Sequence, residues 1–411
     1  MDVFYEAATR VDCRPITDWK AAGRPVVGYT CSYAPAEIFY AAGILPVRLR
    51  GIGTDGMDVG DTFFGPFICS FPKCILQLAG EGRFSFLDGA IITPGCDGMR
   101  RLDECWRKAG EDYEGIVPGF FHYFDVPHKA QNHGLDWYLD ELRLLIKSLE
   151  DHFHVTITAE KLQNAIAVYN KGRRLMQALE DLRAEDDGVV SGTEAFAVAV
   201  AGTVMPRDDY TRSLAQWLSA CRQREESFSR GKKRIMVTGS VSDEIDLFEL
   251  IENTGNAVVV AENLCFGVRS ENDTVPESGD PLAALADHYL GGSVCPRMFG
   301  KYKERLARLK EKIARSRVDG LVMQNIRFCD LHAAENALFE RDLEALGVPC
   351  LRVEREYGPQ SDVGRMRMRI GAFLERISAG GRGKGSGHGQ SNGHGNGYGN
   401  GHAGRRRAEG E

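Results

Sequence analysis

Two stretches of this sequence alternate short β-rich runs with helical ones, and no other feature restricts the possible fold as strongly. In the first, strands are predicted at 26–29, 45–50 and 89–93. A helix at 36–42 is opened by Pro35, and another at 98–108 has Asp97 as its expected N-cap. In the second, strands at 234–238, 257–260, 320–324 and 350–353 are separated by helices at 244–253, around 281–290, at 301–316 and at 333–346, with a last helix at 363–377. A strand, a crossover helix and a further strand return the chain to the same sheet edge. The pattern therefore predicts an α/β protein of two open, mostly parallel sheets with helices on both faces. Residues 134–230 are helical in pattern throughout, with Leu135, Trp137, Tyr138 and Leu139, then Leu144, Leu145 and Ile146, spaced for one buried face.

At 411 residues the chain exceeds the roughly 250 at which single cores stop growing. The expected organisation is an N-terminal α/β domain over 1–133, a helical connecting segment over 134–230, a C-terminal α/β domain over 231–378 and a Gly/His-rich tail over 379–411. The tail has too little apolar content to offset the entropy of ordering it and is expected to be disordered. Its His388, His394 and His402 are read as incidental residues of a solvated segment rather than metal ligands. Lys and Arg number 51 against 58 Asp and Glu, so no overall positive field draws the protein to a nucleic acid or an anionic membrane. No run of about 18 uncharged apolar residues occurs, and the N-terminus lacks the apolar core of a secretory signal, so a cytoplasmic location is expected. There the 11 cysteines stay reduced, and metal binding, catalysis or burial must account for them.

Placed on the predicted elements, Cys31, Cys96, Cys265 and Cys329 each fall just beyond the carboxyl end of a strand. Parallel α/β sheets bind ligands at that edge, where loops converge and helix N-termini point inward. Cys69 in PFICSF and Cys295 in SVCPRM lie in loops near proline, where a side chain can turn inward without disturbing a helix. Thiolates suit iron-sulfur clusters and zinc alike, but neither the CxxC pairs of structural zinc sites nor the CxxCxxC run of ferredoxins is present. A site would have to be assembled from distant loops, most simply at the interface between the two α/β units. Spacing alone leaves a metal centre and a set of inert buried thiols both open. Cys13, Cys74, Cys105, Cys221 and Cys350 fall on predicted helices or in a strand and read as structural.

The segment VVGYTCSYAPAEIFYAAGILPVRLRG (26–51) resembles the opening signature of the family that unites benzoyl-CoA reductase subunits with 2-hydroxyacyl-CoA dehydratase subunits, the 2-hydroxyglutaryl-CoA dehydratase D-component family. FSFLDGAIITPGCDGMRRLDECW, NIRFCDLHAAEN and LRVEREYGPQSDVGRMRMRIGAFLE extend the resemblance, in order, from about residue 20 to 377. The resemblance implies a [4Fe-4S] cluster held by cysteines of both domains at Cys31, Cys96 and Cys329. Three protein thiolates would leave one iron open to water or substrate. With Cys69, Cys265 and Cys295 the cysteines at family-like positions number six, which resembles a branch holding a double-cubane [8Fe-9S] cluster. The other reading makes those three packing residues around the first. The implied activity passes single electrons, injected by a separate ATP-hydrolysing iron-sulfur activator, to an acyl-CoA thioester. The implied assembly contains a homologous partner subunit. RFSFLDG and the stretch around FFHYFDVPHK look closer to the reductase branch. The alternatives are a stand-alone double-cubane reductase of small molecules and a non-catalytic electron-relay subunit.

Beside Cys31, Ser32, Tyr33 and Glu37 are candidates to hydrogen-bond a thioester carbonyl or hold a catalytic proton. For Glu37 an ordinary capping role at the third position of its helix competes with that reading. His122, His128 and His133 are candidate proton donors, with solvated or core roles as the alternative. Gly51-Ile-Gly-Thr-Asp-Gly56 matches GxGxxG after a strand, but the two acids and glycine of 57–61 stand where a helix should receive the pyrophosphate, so NAD is not expected. No GxxxxGK[ST] occurs, which leaves ATP to the separate activator.

Overall fold

The computed structural model describes residues 1–380 apart from 132, 268, 270–272 and 359–362. The expected disorder of the tail concerns residues that lie almost wholly outside the described ones. The two stretches of alternation form two four-stranded parallel sheets. β1 (Val26–Tyr29), β2 (Leu45–Arg48), β3 (Gly89–Ile92) and β4 (Phe120–Tyr123) stand in the order β2-β1-β3-β4. β5 (Lys233–Gly239), β6 (Ala257–Asn263), β7 (Gly320–Ile326) and β8 (Cys350–Arg355) stand in the order β6-β5-β7-β8. One topology thus occurs twice, and in each sheet the chain changes direction between the two central strands, β1/β3 and β5/β7. That switch opens a crevice beyond their carboxyl ends. All four positions of β1, β2 and β3 are buried, as strands covered on both faces require.

The strands end earlier or later than their apolar runs suggest. β2 and β3 stop at Arg48 and Ile92, although the chain stays in register just beyond them, Leu49 N donating to Tyr29 O at 2.8 Å and Thr93 N to Thr30 Oγ1 at 2.9 Å. β4 is absent from the sequence reading because it is a four-residue edge strand, only Phe120 of which is buried. After the GxGxxG run the chain does form a short helix, Asp58–Phe63, contrary to expectation. The glycine there serves packing: a Cβ on Gly51 would lie 2.3 Å from Cys74 Cβ.

The predicted helical stretch is four helices, Gly134–Phe153, Ala159–Ala184, Gly192–Ala201 and Arg207–Cys221. The longest of them, Ala159–Ala184, packs on the helix Ala36–Ala41 of the first unit and on β6 of the second, and so ties the two together. Gly192–Ala201 is buried on nearly every side. Its start is held by a Ser191/Glu194 capping box and by Glu252, whose carboxylate accepts from Gly192 N at 2.7 Å and Thr193 N at 3.1 Å. Among the described residues no helix is long and apolar enough to cross a membrane.

A buried polar clasp also joins the sheets. Arg50 lies against Asp243 (Nε to Oδ2, 3.7 Å), Tyr357 Oη donates to Asp243 Oδ1 at 2.7 Å, and Gly51 N donates to Tyr357 Oη at 3.0 Å. Ser70 closes the loop, donating to Glu356 at 3.1 Å and accepting from Tyr357 N at 2.8 Å. Burial pushes the Asp243 carboxyl up to about 6, more than Arg50 and the Tyr357 hydrogen bond pull it down. A folded-state pKa above the unfolded value near 3.9 means the folded protein binds the extra proton, so this group's contribution is full below about pH 4 and lost as pH rises through about 6. Relative to Asp243→Asn, the unmodified chain is expected to lose up to about 3 kcal/mol across that window. Urea midpoints of both proteins at pH 4.5 and 7 check this, and parallel pH profiles would contradict it.

Candidate metal centre

The carboxyl ends of β1, β2, β3, β5, β6 and β7 open onto one cavity. It has room for ≈ 170 Å³ of water-molecule centres, and Cys31, Cys69, Cys96, Cys265, Cys295 and Cys329 all line it. Three of these cysteines occupy the same structural position. Cys69, Cys96 and Cys329 are the N-caps of the helices Ser70–Gly80, Asp97–Asp112 and Asp330–Glu344. Asp97, the predicted cap, is instead the first helical residue: Cys96 is extended (φ −160°, ψ 179°) and takes the capping place, which turns its sulfur toward the open amides. The N–H groups of Phe71, of Met99 and Gly98, and of His332 point at Cys69, Cys96 and Cys329 respectively, and that of Tyr33 at Cys31. Each sulfur thus meets oriented backbone dipoles that favour its thiolate. Cys329 also accepts from Ser240, which follows β5 at the place matching Thr30 after β1: Ser240 N donates to Gln324 O as Thr30 N does to Ile91 O.

Backbone geometry shapes the wall of the cavity. Gly95 stands directly against Cys31, since a Cβ there would lie in contact with Cys31 Sγ at 3.4 Å. Gly239 at the end of β5 has φ +131°, and a Cβ would meet Gln324 O at 1.8 Å, so only glycine allows β5 and β7 to approach here. Phe328, just before Cys329, sits in the left-handed region at φ 66°, a conformation a bulky residue rarely adopts.

The electrostatics join the six into one group. Burial, with Cys329 and Cys31 adding to it, pushes the Cys96 thiol up to about 12 despite its two N–H partners. Burial likewise raises Cys69, with Cys96 and Cys329 adding to it, and Cys329, with Cys295 adding to it. Cys31 is raised by burial and by Cys295 and Cys265, against the opposing pull of Arg48. Burial thus disfavours the thiolates of Cys31, Cys69, Cys96 and Cys329, and gathering them here requires positive charge in their midst. Among the described residues no three His, Cys, Asp or Glu side chains converge tightly enough to grip a single metal ion. The donor set is six soft thiols spread around one space, which suits a multinuclear metal-sulfur group better than one ion.

Arg48, at the end of β2, was not singled out from the sequence. It lines the cavity at 3% exposure, its guanidinium stacked 3.8 Å over Phe266, donating to Cys265 O and, at 3.3 Å, to Cys265 Sγ. Its Nε is buried with no partner, and among the described residues no carboxylate pairs with it. A charged residue inside a strand that otherwise reads Leu-Pro-Val was the available signal.

Ser32 and Tyr33 line the cavity. Tyr33 is buried, and its hydroxyl accepts from Ser293 Oγ at 2.9 Å. Glu37 is not among the lining residues. It is fully buried in an ion pair with Arg173 (2.7 Å) and accepts from Tyr289 Oη at 2.7 Å. Burial alone would raise its carboxyl, but the Arg173 charge and these hydrogen bonds hold it low. Nor does it cap its helix: the N-cap is Pro35, and the carboxylate reaches outward to the helical layer. Tyr289, its partner, does line the cavity and stands on a π-helical turn, Asp287–Gly291, that interrupts the predicted helix at 281–290. Such turns recur at functional sites.

His122, His128 and His133 lie off the cavity, on β4, in the loop after it and at the N-cap of Gly134–Phe153. Its histidines are His288 and His332, neither singled out from the sequence. His332 follows Cys329 by three residues and so shares its helix face, which was the legible signal. Burial, with Arg269 and Arg305, holds its imidazole neutral, its pKa well below the ordinary range. The remaining cysteines, Cys13, Cys74, Cys105, Cys221 and Cys350, are free thiols outside the cavity.

Comparison with known proteins finds relatives along most of this chain. The family model for 2-hydroxyglutaryl-CoA dehydratase, D-component, matches residues 31–377. A benzoyl-CoA reductase subunit of Thauera aromatica is 29% identical over 345 residues, 82% of this chain and 86% of the relative. The (R)-phenyllactyl-CoA dehydratase beta subunit of Clostridium sporogenes is 25% identical over 356 residues, 86% and 92% of the two chains. The beta subunit of (R)-2-hydroxyglutaryl-CoA dehydratase of Acidaminococcus fermentans is 23% identical over 386 residues, 92% and 100%.

Proposed function

Because the chain belongs to the 2-hydroxyglutaryl-CoA dehydratase D-component family, we propose that it is the iron-sulfur subunit of an enzyme of the benzoyl-CoA reductase or 2-hydroxyacyl-CoA dehydratase type. Cys31, Cys96 and Cys329 would hold a [4Fe-4S] cluster. The observation that carries this reading is the convergence of cysteines from both sheets on one cavity. Cys69, Cys265 and Cys295 line the same cavity, which favours as a second reading a double-cubane [8Fe-9S] group held by all six. Bound there, either group supplies single electrons at low potential to the carbonyl of a coenzyme A thioester.

The chain's own residues supply the rest. Phe71, Pro72, Met99, Val241 and Leu331 make much of the wall apolar, which excludes water and strengthens every electrostatic contact inside. Ser32 in the wall is our candidate donor to the thioester carbonyl. Glu37 acts from behind, accepting from the Tyr289 hydroxyl and so holding that side chain in the wall. A second, polar cavity of ≈ 530 Å³ shares Arg269, Asp273, Val294 and Arg308 with the first and gives a long substrate a hydrophilic approach. Electrons arrive from a separate ATP-hydrolysing activator, and a homologous partner completes the enzyme. The relatives support a multi-chain assembly, since they are themselves named as subunits. Of the two reactions we favour ring reduction, on the likeness of RFSFLDG and FFHYFDVPHK to that branch.

Anaerobic purification with iron and acid-labile sulfide analysis tests the reading. About four irons per chain are expected for one cubane and about eight for the fused form. A chain that folds without iron or sulfide would sink both. A change in the spectrum of the reduced protein on adding an acyl-CoA is expected of a protein that meets substrate and not of a pure electron relay.

A further inference from the structure

We propose that Arg48 is the fixed counter-cation of the thiol-lined cavity, a positioning residue whose charge favours the more reduced, more negative state of whatever metal-sulfur group the six cysteines hold. The inference rests on the reading above and extends it to a residue that is not a ligand.

Four observations converge on it. Arg48 is almost completely buried, yet among the described residues no carboxylate accompanies it. A guanidinium in that setting is costly unless acceptors or a negative group lie nearby: Arg173 has Glu37, Arg355 has Glu244, and Arg297 spends its nitrogens on the carbonyls of Pro94, Pro127 and Val126, whereas Arg48 meets a cysteine sulfur. Among the described residues, the groups of negative potential that face Arg48 are the cavity groups Cys265 and Cys31, and Tyr29 of β1. Its orientation is fixed rather than adaptable. The backbone N–H donates to Thr203 O at 2.9 Å, the guanidinium plane is stacked on Phe266, and the two terminal nitrogens are committed to Cys265 O and Sγ. That leaves Nε, buried and unpartnered in a residue that lines the cavity, as a donor still awaiting an acceptor.

One-electron reduction of a thiolate-bound cluster without proton uptake adds one negative charge to the site. A cation held in a low-dielectric wall stabilises that charge and needs no rearrangement when the electron arrives. Hydrogen bonds to cluster sulfurs and nearby charge are among the levers that set such potentials. Arg48 exerts both, the first through Cys265.

The test uses the full-length chain, purified anaerobically with its metal, as wild type, Arg48→Gln and Arg48→Lys. Each is titrated with dithionite and followed by its visible and EPR spectra, with iron counted per chain. The expected result is a midpoint potential displaced to more negative values in Arg48→Gln and largely restored in Arg48→Lys, which keeps the charge but loses the fork. If Arg48→Gln folds but holds markedly less iron while Arg48→Lys holds the wild-type amount, that too supports the charge as the operative property. Wild-type iron and an unmoved potential in both variants would overturn the proposal and leave the cluster reading standing. Equal loss of iron in both variants would also overturn it, since charge would then not be what matters. A wild-type chain without iron would bring down the cluster reading and Arg48's role together.

Discussion

Alanine at Cys96 is expected to leave a folded chain that retains little iron, with metal affinity down by well over about tenfold. Cys96 joins the two halves of the cavity electrostatically, facing Cys31 on its own sheet and Cys329 on the other. It is also the sulfur with two backbone N–H groups trained on it. Removing it deletes a donor and leaves the amides of a helix start pointing into empty space. Cys221→Ala is the control, because Cys221 is a buried free thiol that ends the helix Arg207–Cys221 outside the cavity. Iron analysis of the two variants, with far-UV circular dichroism to verify folding, decides the matter. Equal iron in Cys96→Ala and wild type would refute the ligand assignment.

The second large effect concerns stability. Arg50→Met is expected to destabilise the protein by about 3–5 kcal/mol. Arg50 is 1% exposed and donates to Ala8 O at 2.8 Å, Ala7 O at 2.9 Å and Arg10 O at 2.8 Å, so it terminates the first helix, Asp2–Thr9, as well as facing Asp243. Methionine fills much of the volume but leaves three carbonyls without their donor and the buried Asp243 carboxylate without its neighbouring positive charge. The measurement is the urea midpoint at constant denaturant slope. A loss below about 1 kcal/mol would mean that water or a shifted neighbour replaces the guanidinium. Because the same clasp holds β2 against the loop after β5, partial loss of iron in this variant is expected to follow the loss of stability.

The placement of six cysteines at one cavity was largely legible because parallel-sheet topology is a strong constraint. Once Cys31, Cys96, Cys265 and Cys329 are assigned to the ends of strands, the fold itself carries them to one edge. The pair in loops, Cys69 and Cys295, was readable by the same geometry, with Cys69 proving to be a helix N-cap rather than a free loop residue. Local rules misassigned Asp97, since capping preferences rank aspartate over cysteine and cannot know that the sulfur is needed inward. They also placed Glu37 beside Cys31 by sequence proximity, whereas its place in the first turn of the helix Ala36–Ala41 directs it into the layer behind, to Arg173. β4 and the π-helical turn escaped because a four-residue edge strand and a single widened turn leave little periodic trace.

What the sequence determined by itself was the repeated strand-helix order, and with it two parallel sheets and the edge to which their loops lead, since hydrophobic periodicity and crossover handedness are local properties. The tertiary structure alone decided that both edges face one shared cavity. That depends on contacts between residues far apart in the chain: Arg50 with Asp243, Gly51 with Tyr357, and the helix Ala159–Ala184 against both the helix Ala36–Ala41 and β6. It alone decided, too, that Arg48 is a buried cation facing sulfur rather than an exposed one facing water, because the charge of a side chain is written in the sequence and its solvation is not.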